Sequence, residues 1–178
     1  FNWQINSNHT FKTGVEFLGH EINNTYYQIR PHPDSTNYSP YVFENQLSTY
    51  SDVYTVEPFE GSVYIQDKME FDEMVINARL RYDYFDPASR YPSDRRNPAN
   101  QLILPDSMTS KYPLAPIIEQ LSPRLGFAYQ LGNEAVLHFS YGHFFQMPPM
   151  YAMYQNNSFL VDPNDYVTTM GNTLLEPE

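Results

Sequence analysis

The clearest pattern in the chain is a strict alternation of apolar and polar residues over residues 122–146. In the first arm the apolar positions are Leu125, Phe127, Tyr129 and Leu131, and small or hydrophilic residues lie between them. The second arm repeats the alternation, with Ala135, Leu137, Phe139, Tyr141 and Phe145 on its apolar face. A period of two over both arms, joined by Gly132-Asn133, predicts an antiparallel β-hairpin.

The same alternation recurs along the chain and predicts about six strands. Tight turns at Ser7-Asn8, Asp72-Glu73 and Gly132-Asn133 alternate with long segments that are predicted to be loops, at residues 31–58, 86–121 and 147–173. The strand that follows the first turn is expected to continue as far as Arg30. Predicted strands of about 10 to 13 residues are long enough to cross a bilayer when tilted. Short turns opposite long loops are typical of outer-membrane barrels, and no helix is predicted.

The two faces of these strands differ in chemistry. One is aromatic and aliphatic, although Asp67 falls on it out of phase. The other is hydrophilic and is predicted to face a wet lumen through Lys12, Glu16, Lys68, Glu70, Arg79, Arg81, Arg124 and His138. The predicted fold class is therefore all-β, a transmembrane antiparallel β-barrel of which this chain forms a partial wall. The alternative is a soluble, secreted β-sandwich.

Composition agrees with a barrel wall and excludes several other classes. Among 178 residues there are 16 Tyr and 12 Phe, which suits aromatic girdles at membrane interfaces. The formal net charge of −11 disfavours a nucleic-acid partner, because phosphate binding needs a basic surface. The absence of cysteine excludes disulfides and thiolate metal sites. Because the chain begins with Phe1 inside a predicted strand, we expect processing or truncation.

Two groups in the predicted loops are candidates for ligand contact. Methionines and tyrosines are concentrated at Met147, Met150, Tyr151, Met153 and Tyr154. Thioethers at this spacing could hold Cu(I), and the alternative is a patch that packs on neighbouring loops or a partner. The cations Arg90, Arg95 and Arg96 could bind an anionic ligand or lipopolysaccharide phosphates, or could simply be solvated. No catalytic motif, metal-ligand set or cofactor site is predicted, so we do not expect an enzyme.

Five stretches, in the same order, resemble motifs of the TonB-dependent outer-membrane receptors. They are residues 9–17, the hairpin 64–68 with 77–83, Ser122-Pro-Arg-Leu-Gly126, His143-Phe-Phe-Gln-Met-Pro-Pro149 and Gly171-Asn-Thr-Leu-Leu-Glu-Pro-Glu178. The sequence departs from the family pattern at Arg79, where Gly is usual, and at Thr173 and Glu176, where Pro and Lys are commoner.

The resemblance implies a barrel of about 22 strands with a plugged lumen in the bacterial outer membrane. It also implies uptake of a scarce ligand (a chelate, glycan or peptide) driven through the inner-membrane TonB complex. Implied partners are the plug and the remaining barrel, TonB through a plug that this chain lacks, outer-membrane lipid and lipopolysaccharide, with a surface lipoprotein left open. About six strands fall short of the roughly eight of the smallest single-chain barrel. Residues 1–178 are thus expected to be one part of a barrel domain, the alternative being a structural module of an outer-membrane assembly.

Overall fold

The computed structural model describes residues 1–32, 36, 39–42, 50–97, 99–100, 105, 107–156 and 168–177. These described residues form ten β-strands and one short helix. These are β1 (Asn2–Gln4), β2 (His9–Gly19), β3 (Ile22–Tyr27), β4 (Ile29–Pro31), β5 (Pro40–Val42), β6 (Ser51–Val56), β7 (Phe59–Glu70), β8 (Met74–Asp86), β9 (Ile118–Leu131), β10 (Ala135–Gly142) and α1 (Met150–Tyr154).

Six of the strands form one antiparallel sheet in the order β1-β2-β7-β8-β9-β10. The turn between β9 and β10 contains Gly132 at φ +62°, a left-handed conformation that glycine adopts without steric cost. The hairpin predicted over residues 122–146 is therefore present, although β9 begins at Ile118 rather than at Ser122. The sheet is not closed, which agrees with the predicted partial wall of a β-barrel.

The register of the sheet separates its two faces cleanly. Directly paired residues point to the same side, so the pairs Val63–Tyr82 and Ile65–Leu80 place apolar side chains together on what we call the apolar face. Large residues there remain exposed, including Phe17 at 72% and Phe139 at 56%. A soluble sandwich would bury such a face under a second sheet, and the other two sheets of the described residues have only two strands each. The prediction of a two-faced barrel wall is confirmed.

Residues 31–58 were predicted to be a loop, and this prediction is wrong for their described part. Strand β3 pairs with β6 and β4 pairs with β5, so the hairpin formed by β2 and β7 continues as a two-stranded ribbon beyond the sheet. Backbone bonds join the successive ladders, from His20 N–H to Pro58 O (2.9 Å) and from Gln28 N–H to Tyr50 O (2.8 Å). The prolines of this region favoured a loop, but Pro31 and Pro40 pair with each other at the end of the β4–β5 ladder.

The chain after β10 folds back on the long-loop end of the sheet. The helix α1 was not predicted, since five residues are too few to show a helical period. Phe145 was predicted to continue the apolar face of β10. That prediction is wrong, because β10 ends at Gly142 and Phe145 packs in the loop core around Val56 and Phe85. In the described part of the chain, no helix is long and apolar enough to span a membrane.

Candidate functional site

Polar side chains form ordered rows across the second face of the sheet, here called the polar face. The register aligns Lys12 with Gln66, Gln66 with Arg79 and Arg79 with Arg124, so three cations lie in one row. A second row, nearer the long-loop end, aligns Glu16 with Ser62 and Asp83. Of the predicted lumen-facing residues, all eight share this face.

The cationic row is held by contacts between neighbouring strands. The Arg79 guanidinium lies 4.4 Å from the centroid of the Tyr64 ring, a cation–π contact. The ring itself rests on Gly14, where an added β carbon would come within 2.5 Å of Tyr64. Arg124 lies 4.4 Å from the Phe144 ring and donates from Nε to the His143 carbonyl at 3.2 Å. These contacts limit the rotamers of both arginines, while Lys12 and His138 are exposed.

The acidic row is only partly neutralised. Arg81 donates to Asp83 Oδ1 at 2.7 Å and lies 3.9 Å from Glu16 Oε2. The other Asp83 oxygen is buried without a partner in the described residues. Glu70 pairs at 2.6 Å with Lys68 of its own strand. The opposite face also carries polar pairs: His9 Nδ1 lies 2.8 Å from the out-of-phase Asp67, and the Tyr82 hydroxyl donates to Glu119 Oε1 at 2.6 Å.

Most of the predicted methionine and tyrosine patch is core. Met153 and Tyr154 are 1% and 0% exposed, and Met147 and Met150 pack against them. The buried Tyr154 hydroxyl donates to the Pro87 carbonyl at 2.9 Å, and burial raises the pKa of Tyr154 well above its ordinary value. This arrangement supports the packing alternative for these four residues. Tyr151, in contrast, is 67% exposed.

The segment after residue 168 anchors α1 from the other side. Gly171 N–H donates to the Gln155 carbonyl at 2.6 Å, and Asn172 N–H donates to the Ala152 carbonyl at 2.8 Å. A β carbon on Gly171 would lie 2.5 Å from the Met153 carbonyl oxygen, so only glycine allows this approach. Gly171 and Asn172, which begin the last family-like motif, therefore position the helix.

The structure does not bring the three predicted loop cations together into one cluster. Arg90 donates from Nη1 to the Tyr112 carbonyl at 2.7 Å, whereas Arg95 donates to the Asn172 side chain. Burial lowers the pKa of Arg95 from its ordinary value. Arg96 is exposed, and its backbone N–H donates to Asp94. Arg90 and Arg95 thus connect loop segments, and both Arg90 and Arg96 are exposed. Contact of the three with a ligand stays a prediction.

A cleft of about 510 Å³ lies between the β3–β6 ribbon and α1, and we call it the loop cleft. One face of the ribbon changes along its length from apolar to polar. It runs from the pair Ile22–Val56, packed at the loop core, through Asn24–Tyr54 to Tyr26–Asp52. Among the described residues, four tyrosine side chains line the cleft: Tyr26, Tyr50, Tyr54 and Tyr151. Sequence reasoning missed it, although the β-branched and aromatic residues at 53–56 could have revealed one strand of the ribbon.

Amide groups, one carboxylate and the hydroxyl groups of Ser51, Thr168 and Thr169 form the rest of the described lining. Asn24 Nδ2 donates to the Asp52 carbonyl at 2.7 Å, and Gln28 Nε2 donates to the Tyr26 hydroxyl at 2.8 Å. Asp52 Oδ2 accepts the Asn156 N–H at 2.9 Å, which ties the ribbon to the end of α1. Burial raises the pKa of Asp52, and this hydrogen bond opposes the shift. Burial also raises the pKa of Tyr54, helped by the Asp52 charge.

The described residues contain no group of three or more histidine and carboxylate side chains that could hold a metal ion. Comparison with curated proteins and with solved structures found no match. The sequence profile of the family described as "TonB dependent receptor-like, beta-barrel" matches residues 1–178. Together with the antiparallel, two-faced sheet, this match shows that the chain belongs to the TonB-dependent receptor-like β-barrel family.

Proposed function

We propose that this chain forms part of the wall and outer loops of a bacterial outer-membrane receptor. The whole receptor takes up a scarce ligand with energy supplied through the TonB complex. Family membership over residues 1–178 carries the proposal, and the two faces of the sheet support it. The apolar face meets lipid and the polar face borders a lumen, so the short turns are periplasmic and the long loops are extracellular.

The same orientation suggests the partners of the chain. The charged rows of the polar face would meet the plug and the rest of the barrel, through which TonB acts. Residues 1–178 are then one part of a single barrel domain. Arg96 and the other loop cations would lie near lipopolysaccharide phosphates, and a surface lipoprotein could cover the loops. The role that we propose is transport rather than catalysis.

Orientation can be tested by cysteine labelling, because the chain contains no cysteine of its own. We would introduce single cysteines into the whole receptor at Arg96 and Tyr27 in the long-loop regions, and at Asp72 and Asn133 in the short turns. A membrane-impermeant maleimide should label the first pair on intact cells and the second pair only after the outer membrane is opened. Labelling of the short turns on intact cells would contradict the proposed orientation.

Transport requires a separate measurement. Cells that express the whole receptor would be offered radioactive ferric citrate, an uncharged hexapeptide and neutral hexasaccharides of glucose, xylose and mannose. Accumulation of at least one probe should need both the receptor and a functional TonB. If every probe enters equally well without TonB, the uptake proposal is wrong, and a structural role in an outer-membrane assembly becomes the better account.

A further inference from the structure

We infer that the loop cleft binds a neutral, hydroxyl-rich glycan, and that the exposed tyrosines Tyr26 and Tyr151 stack on its sugar rings. This inference rests on the proposed function, because it names the class of ligand that the receptor would take up. Three properties of the cleft carry it: the kind of side chains in the lining, their charge, and the way in which the polar groups are held in place.

The lining combines aromatic rings with polar groups and contains no aliphatic side chain among the described residues. Pockets for apolar or drug-like ligands are lined mainly by hydrophobic side chains, with few polar groups. Sugar rings have different needs, since they present C–H faces to aromatic rings and hydroxyls to donors and acceptors around the edge. Tyr26 is 47% and Tyr151 is 67% exposed, so their rings are accessible from opposite walls, the ribbon and α1.

The charge of the cleft disfavours an anionic ligand. Its described lining contains no Lys or Arg, and its one ionisable carboxylate is Asp52. An anionic chelate needs cationic or preorganised N–H donors. Arg90 bonds to Tyr112 and Arg95 to Asn172, away from the cleft, while Arg30 stacks on the lining residue Tyr50 with its guanidinium 4.0 Å from the ring centroid. A cleft with a net acidic lining would repel a ferric carboxylate chelate.

The polar groups are held before any ligand arrives. Asn24 and Gln28 each donate one hydrogen bond within the ribbon, which fixes the orientation of their amides. Asp52 is fixed by the Asn156 N–H from the other wall. Amides are suited to sugar hydroxyls because each offers both donors and acceptors. Groups that are fixed in advance lose less conformational entropy on binding, so a polar, half-open cleft can still bind with useful affinity.

A peptide is the nearest competitor, and the lining disfavours it. Extended peptides bind through main-chain hydrogen bonds to an exposed strand edge, and alternate side chains enter separate pockets. The tyrosines and amides here project instead from one face of the two-stranded ribbon, at the cross-strand pairs Asn24–Tyr54 and Tyr26–Asp52. A surface of this kind contacts the face of a ligand rather than its backbone edge.

The whole purified receptor would be applied to an array of neutral oligosaccharides, and affinities for bound glycans would be measured by titration calorimetry. Ferric citrate and an uncharged hexapeptide serve as comparison probes. Tyr26→Ala and Tyr151→Ala should each weaken glycan binding by about tenfold or more, which is about 1.4 kcal/mol. Tyr151→Phe should retain most of the affinity, because the ring remains.

The ribbon offers a matched control at the next position. Tyr27 is 50% exposed, nearly as much as Tyr26, but it alternates to the opposite side of β3. Tyr27→Ala should therefore change glycan affinity by less than about twofold, whereas a general loss of loop structure would affect both variants equally. Retention of the folded barrel would be checked in each variant by its heat-modifiable migration on electrophoresis.

Three outcomes would overturn the inference. The first is that no neutral oligosaccharide binds, and the second is that a glycan binds but the cleft variants leave its affinity unchanged. The third is that Tyr26→Ala and Tyr151→Ala weaken the binding of ferric citrate or of the peptide. The uptake measurement separates these failures from failure of the proposed function. TonB-dependent accumulation of ferric citrate or peptide without glycan binding would reject only the ligand class. Glycan binding at the cleft without TonB-dependent uptake would reject the transport proposal while retaining the site.

Discussion

The wall and the loop assembly of this protein are built by different physical means. In the wall, neighbouring strands pair in order along the chain, and each residue's face follows from its position in the alternation. In the loop assembly, Tyr154 bonds to Pro87 across 67 residues and Asn156 bonds to Asp52 across 104 residues. The wall is thus specified by local patterning, whereas the loops depend on contacts between residues that are far apart in the sequence.

This difference also distributes the chemistry. The wall leaves its apolar side chains exposed on one face and collects its cations on the other, which suits a boundary between two solvents. The loop assembly buries its apolar residues in a small core and leaves amides, tyrosines and Asp52 around a cleft. A cleft that belongs to the loops can vary without disturbing the wall, because its residues take no part in the six-stranded sheet.

The strongest test of the comparison is a charge on the apolar face of the wall. Leu80→Arg, in the middle of β8, should destabilise the barrel in bilayers by about 2–4 kcal/mol, because the charge is placed in hydrocarbon. Phe139→Arg should act in the same direction. Urea titration of the receptor in lipid vesicles would measure both effects.

The adjacent residue provides the control for this test. His138 is exposed on the polar face, next to Phe139 in sequence. His138→Arg should cost little, because an arginine there remains solvated. If His138→Arg destabilised the barrel as much as Phe139→Arg, the two faces would not differ in their environment, and the assignment of one to lipid and the other to the lumen would be wrong.

The corresponding test of the loop assembly is Gly171→Ala. The new methyl group would lie 2.5 Å from the Met153 carbonyl oxygen, so the last segment has to move away from α1. A cost of about 1–3 kcal/mol is expected for forcing a methyl group into this contact. Limited proteolysis should then cut near α1 in the variant and spare the sheet. Gly19→Ala, which would meet no atom within 4 Å, should leave the digestion pattern unchanged.

A smaller effect is expected for Gly14→Ala within the wall. The added methyl group would displace the Tyr64 ring and separate it from the Arg79 guanidinium, which is 4.4 Å from the ring centroid. Loss of this contact should cost about 0.5–1 kcal/mol. Urea unfolding would be compared with that of Gly126→Ala, where the nearest side-chain atom is 3.7 Å away. Equal stability of the two variants would show that the stacking contributes nothing.

The smallest effect concerns pH and the docking of the ribbon on α1. Burial raises the folded-state pKa of Asp52, so docking is favoured below the ordinary pKa of about 4 and weakens as pH rises through the raised value. Asp52→Asn removes this loss while an amide oxygen remains to accept the Asn156 N–H. Because Asp52 is only half-buried, the difference should stay below about 1 kcal/mol.

Hydrogen exchange at the Asn156 amide would measure that difference. The Asp52→Asn variant should be better protected than the wild type near pH 7, and the two should converge near pH 4. Comparison at each pH removes the intrinsic pH dependence of exchange. Greater protection in the wild type at neutral pH would mean that the carboxylate hydrogen bond outweighs the cost of its burial.

Much of the wall could be predicted from the residues alone. The alternation around Gly132, the outward positions of Leu80 and Phe139, and the shared face of Arg79, Arg81 and Arg124 all follow from a period of two. The physical reason is local, since successive side chains of a strand point to opposite sides and adjacent strands keep register through short turns. The unclosed, two-faced sheet needed no information beyond that pattern.

The loop assembly required the three-dimensional arrangement. Phe145 leaves the predicted apolar face, Met153 and Tyr154 become core, and Asp52 meets the end of α1. Nothing in the neighbouring residues encodes these contacts, because an apolar side chain can lower its exposure against many surfaces and only the folded chain selects one. Local alternation therefore determines which side chains line the wall, and tertiary packing alone decides which loop residues surround a cleft.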